Sequence, residues 1–114
     1  MANLLKMKNP KVCQDIEEIR TEIDNIDYQI LQLFSQRYSF VKEIVKFKTD
    51  EDSVIAESRQ IEVINKRREW AEELGLNPDL FEEIFWILLK FNVKKELEIL
   101  NSKALNNPKF LKDV

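Results

Sequence analysis

The chain has 114 residues, enough for one domain of ordinary size, with 44% hydrophobic, 34% charged and 10% aromatic residues and a formal net charge of −3. That balance describes a folded globular chain and removes a sequence-wide basic field for nucleic acid. One glycine, no histidine and one cysteine exclude glycine-rich phosphate loops, Ser-His and Cys-His nucleophile pairs, an intrachain disulfide and a thiolate metal cage.

The first 14 residues read as an N-terminal extension. They hold no apolar core of signal-peptide length, and no run in the chain approaches a membrane span. Cys13 reads as a structural thiol. Together these features place the protein in a reducing, cytoplasmic compartment. The helical domain is expected over 15–100. From Ile16 the apolar positions run Ile16, Ile19, Ile23, Ile26, Ile30 and Leu33, alternating steps of three and four. The same alternation continues through Arg37, Phe40, Ile44 and Phe47, with no Pro or Gly to interrupt it. It predicts one helix over about 15–48, roughly 50 Å long. A helix of that length overruns a monomeric globule of about 100 residues, whose radius of gyration is near 13 Å. A second copy covering its seam is therefore expected.

Residues 49–57 (TDEDSVIAE) break the period and read as an acidic loop. A second helix is predicted from 57 or 58 to 74, with Val63, Ile64, Trp70 and Leu74 as its apolar side. Gly75 stands where a helix end wants positive φ, and Asn77-Pro78 supplies an N-cap followed by Pro at the first helical position. The third helix is predicted to run to about Leu100, on a seam of Phe81, Ile84, Phe85, Leu88, Leu89, Val93, Leu97 and Leu100. Residues 101–114 read as a loosely held polar tail. The expected fold is all-α: a three-helix protomer with one very long N-terminal helix, in an intertwined homodimer.

The informative residues are polar ones on apolar seams. Arg37 takes a seam position of the first helix, and Lys48, eleven residues later, returns to within about 20° of it and roughly 16 Å along. Arg20 lies about 25 Å from Arg37 and reaches a site there only from a partner chain. Asn92 and Glu96 interrupt the third seam four residues apart, hence on one face. Arg59 stands four residues before Val63 and so is expected to point towards the core. Each of these alone is an ordinary snorkelling or paired side chain. As a set they describe a polar cavity for a small anion, and planar Arg forks with few acids suit a dicarboxylate.

The spacing Arg20, Arg37, Lys48, Arg59 and Glu96, with IEEIRTEIDNIDYQIL, QRYSFVKEIVKFK and RREWAEELGLNPDLFEEIFWILL, resembles the all-helical chorismate mutase family over about 16–100. The resemblance implies a dimer with two active sites, no metal and no cofactor. Each site binds chorismate and borrows one Arg, here Arg20, from the partner. It implies Arg20 and Arg37 on the substrate carboxylates, and Lys48 on a carboxylate and the ether oxygen. Arg59, Gln60 and Asn92 line the pocket. Two departures stand out. The family usually has Gln at the Glu96 position, and Glu donates to the ether oxygen only when protonated. Gln60 stands where many mutases have Glu.

The start MKNPKVCQDIEEIR, Phe47-Lys48 and REWAEELGLN are also similar to isochorismate-pyruvate lyases of salicylate biosynthesis, which share the fold. Ala56 follows that pattern, where mutases commonly carry Asp. The expected activity is chorismate mutase, the alternative is the lyase, and a non-catalytic helical binding dimer is a third reading.

Overall fold

The computed structural model describes residues 8–106, with side chains up to Lys103. These residues form helices and turns, with no strand among them. A 3₁₀ turn (Pro10–Val12) precedes α1 (Ile16–Ile44). A second 3₁₀ turn (Val45–Phe47), a short α2 (Glu51–Ile55), α3 (Glu57–Glu73) and α4 (Pro78–Asn106) follow. The chain divides into two compact units, one up to Ser39 and one from Phe40.

In the first unit, the start of α1 is fixed by local hydrogen bonds. Asp15 Oδ1 accepts from the Glu18 N–H at 2.8 Å, and Glu18 reaches back to accept from the Gln14 N–H at 2.8 Å. Glu17 and Glu18 place negative charge at the positive end of the helix dipole. No residue of α1 is buried. Its apolar seam lies open: Ile16, Ile19, Ile23, Ile30 and Leu33 are each between 42% and 59% exposed.

The second unit carries its own core. Val45, Val54, Val63, Ile64 and Ala71 are buried, contributed by the second 3₁₀ turn, α2 and α3, and all three of these elements meet α4. The seam predicted on α4 from Phe81 to Leu100 is half-buried. Along α3 the inward line runs through Gln60, Val63, Ile64, Arg67 and Ala71. Trp70, expected on that side, is instead exposed, and so is Arg59, because both fall to the flank of this line; Leu74, also expected there, is exposed as the C-cap beyond the last turn of α3. Arg67 lies over the rings of Trp70 and Phe85, 4.8 and 5.6 Å from their centroids, and joins α3 to α4 through cation–π contact.

The α3–α4 turn forms as its residues dictate. Gly75 has φ +74, the Leu76 N–H donates to the Ala71 carbonyl at 2.8 Å, and the Gly75 N–H donates to Glu72 at 3.1 Å. This is a Schellman closure, which needs a left-handed residue at that point. Asn77 Oδ1 then accepts from the N–H groups of Asp79 and Leu80, with Pro78 as the first helical residue. Arg68 bridges the two helices by donating to Asp79 at 2.9 Å and Glu82 at 3.0 Å, and the Asp79 hydrogen bond leads in raising its pKa further.

Three boundaries differ from the sequence reading. α1 stops at Ile44 and its last turn tightens to 3₁₀, so Lys48 is extended (φ −110, ψ 137) rather than helical. The eleven-residue rotation that aligned Lys48 with Arg37 therefore does not extend to Lys48. The 49–57 segment is not a plain loop: Asp50 caps α2, with Ser53 reciprocating. α4 continues to Asn106, past Leu100; residues 107–114 of the expected tail lie outside the described residues.

Candidate functional site

Two polar residues are buried among the described side chains, Asn92 and Glu96, each 6% exposed. They sit one turn apart on α4, as the seam pattern requires. A buried carboxylate without a partner is strongly unfavourable, and the partner here is Lys48. Its Nζ lies 3.0 Å from Glu96 Oε1, with both side chains largely shielded from solvent. The ammonium is not aligned to donate to Oε1, which has no hydrogen bond of its own. The contact is one of charge, and it leaves a shielded oxygen with unused hydrogen-bonding capacity.

Lys48 is held from a second side. Its Nζ donates to the Val54 carbonyl of α2 at 3.4 Å, and Val54 itself is buried. The next carbonyl of α2, that of Ile55, accepts from Gln60 Nε2. Gln60 thus commits its amide N–H to α2 and keeps its own oxygen as an acceptor. An ammonium has three N–H groups, so one tied to Val54 leaves capacity for an anion.

The other expected residues are placed differently. Arg59 is exposed and pairs with Glu62 on the flank of α3, so the expectation that it points towards the core is corrected. In the first unit, Arg20 is exposed and pairs with Glu17 at 2.8 Å. Arg37 is half-buried, and burial pushes its guanidinium down from the ordinary range while leaving it charged. Arg20 and Arg37 are 17 residues apart on one helix, about 25 Å of rise. In the second unit, then, Lys48, Glu96, Asn92 and Gln60 occupy shielded or half-shielded positions. Arg59 does not. The carbonyls of Val54 and Ile55, and the Asp50–Ser53 cap behind them, were missed by the sequence reading. The available signal was an Asp with Ser three residues on, a capping pair that the acidic composition of the segment obscured.

The profile of the family described as Chorismate mutase type II matches residues 19–97. The chain belongs to the chorismate mutase type II family. Among curated proteins it is 32% identical over 92 residues to a Pseudomonas aeruginosa protein named isochorismate pyruvate lyase. That match covers 81% of this chain and 91% of the relative. It is 27% identical over 97 residues to a Methanocaldococcus jannaschii protein named chorismate mutase, covering 84% of this chain and 98% of that one. It is also 33% identical to the T-protein of Haemophilus influenzae over 70 residues, 60% of this chain and 19% of that protein. The matched region includes every candidate site residue, and the all-helical architecture is the one that the family resemblance implied, with the long first helix that the apolar periodicity predicted. No described helix is long and apolar enough to cross a membrane.

Proposed function

We propose that this protein is a chorismate mutase, catalysing the pericyclic rearrangement of chorismate to prephenate. The observation that carries the reading is the shielded Lys48–Glu96 pair beside Asn92, with Glu96 Oε1 left without a hydrogen bond. The reaction breaks the ether C–O bond and forms a C–C bond in one step. It calls for no nucleophile, which suits a chain without histidine. What it needs is a folded enolpyruvyl arm held over the ring and donors where charge develops on the ether oxygen. In this reading Lys48 turns from Glu96 to the ether oxygen and a carboxylate of the substrate, and Glu96, taking up a proton as it gives up that ion pair, donates to the ether oxygen. Arg37 binds a carboxylate, and Asn92 and Gln60 line the pocket, Gln60 offering its oxygen to the ring hydroxyl. Arg59 closes the pocket rim from an exposed start, which requires it to leave Glu62. Arg20 serves the site of a second copy, in a homodimer supported by the open apolar seam of α1. The compartment proposed is the cytoplasm, on the sequence features alone.

The relative named isochorismate pyruvate lyase and Ala56 favour a second reading, release of pyruvate and salicylate from isochorismate by the same clamp. Separate assays of the purified protein with each substrate decide between them. Prephenate from chorismate supports the mutase; efficient pyruvate and salicylate release from isochorismate replaces it with the lyase.

A further inference from the structure

Helix α2 has only five residues, too short to persist through its own hydrogen bonds. It is built up at both ends. Asp50 Oδ1 accepts from the Ser53 N–H at 2.8 Å, and Ser53 Oγ accepts from the N–H groups of Thr49 and Asp50, both at 3.3 Å. At the other end Ala56 turns left-handed (φ 42, ψ 63), and its N–H closes on the Asp52 carbonyl at 2.9 Å. The last carbonyls of a helix lack partners within it. Here the two that precede Ala56, those of Val54 and Ile55, are met by Lys48 Nζ and Gln60 Nε2.

We propose that α2 is the element that positions Lys48 and Gln60 for substrate, and that Asp50 and Ser53 are positioning residues acting through it. The inference rests on the reading of Lys48 as a substrate-binding group. The Val54 carbonyl is 3.4 Å from Nζ, the long end of hydrogen-bonding range, so a small movement of α2 breaks this contact and leaves the ammonium held from the Glu96 side alone. That loss loosens the flexible four-carbon side chain and costs the pre-set direction of its remaining N–H groups.

The test uses the full chain with Asp50→Ala, Asp50→Asn and Ser53→Ala. Asn caps helices as well as Asp does, so Asp50→Asn keeps the cap and removes only the charge. Acylation of Lys48 by an amine-reactive ester, read by mass spectrometry against exposed Lys66, reports the hold on Nζ whether or not the protein is active. Asp50→Ala is expected to raise Lys48 labelling roughly fivefold, the usual loss for a removed cap, and Asp50→Asn to leave it within about twofold. Ser53→Ala shifts labelling in the same direction as Asp50→Ala and stands in for it if that variant does not fold. On the substrate that the wild type turns over, kcat/KM falls in parallel in the alanine variants and is restored in Asp50→Asn. Unchanged labelling in both alanine variants overturns the proposal, as does Asp50→Asn behaving like Asp50→Ala. A wild type that turns over neither substrate overturns the enzymatic reading instead, and the labelling still decides the role of α2.

Discussion

Two ion pairs of the second unit use the same chemistry in opposite surroundings. Lys48 and Glu96 come from elements far apart in sequence and meet at 3.0 Å, with their side chains 17% and 8% exposed. Arg59 and Glu62 are one turn apart on α3 and meet in solvent, 58% and 69% exposed. The exposed pair is an ordinary solvated contact, worth little and easily exchanged for another partner. The shielded pair is costly to assemble and seldom the most stable choice for its volume. A fold that keeps it, next to a second buried polar residue on α4, is spending stability on a polar site. The contrast separates a group held in place from two sides from one held only by a neighbour on its own helix.

The widest separation comes from removing the shielded pair as a unit. Lys48→Met combined with Glu96→Leu is expected to leave the melting temperature unchanged or higher, while activity falls at least about a thousandfold. Lys48→Met alone strands Glu96 without its cation and is expected to destabilise by about 3 kcal/mol. A double variant that loses stability as steeply as the single one would mean that the pair is structural. Thermal denaturation beside a chorismate assay checks both.

Glu96→Gln sharpens the role of the carboxyl. Gln keeps a donor at every pH, whereas Glu donates only when protonated. The wild-type rate is therefore expected to be lower at alkaline than at acid pH, and the variant to keep its rate across that range. An alkaline fall of the same size in Glu96→Gln breaks the assignment. On the exposed side, Arg59→Ala is expected to raise KM about tenfold, the scale of a charged hydrogen bond, with no measurable change in melting temperature. The smallest effect belongs to Ala56. Relief of its left-handed backbone by Ala56→Gly is expected to raise stability by up to about 1 kcal/mol, read by chemical denaturation.

Much of this was legible in the residues themselves. The α3–α4 turn followed from Gly75, Asn77 and Pro78, because each has a conformational preference stronger than its surroundings. The placement of Asn92 and Glu96 followed from apolar periodicity, which is a statement about burial. The sites that went unread depend on something else. Arg59 was assigned inward from its distance to Val63 alone, but the buried line of α3 is set by where α4 lies, and that puts Gln60 inward and Arg59 on the flank. The end of α1 at Ile44 depends on Val45 being drawn into the core of the second unit, a tertiary demand that no period of three and four announces. The part of the hold on Lys48 and Gln60 that went unread is made by backbone carbonyls of α2, which the sequence announces only indirectly, through the Asp50–Ser53 cap. The open seam of α1 agrees with the sequence pattern that called for a partner, and the homodimer stays a proposal resting on that exposure.

The most direct measurement is the rate of product formation by the purified protein from chorismate and, separately, from isochorismate. The account predicts prephenate from chorismate as the faster reaction, lost in the Lys48→Met, Glu96→Leu double variant. Faster release of pyruvate and salicylate from isochorismate, or no product from either substrate across the pH range, would contradict it.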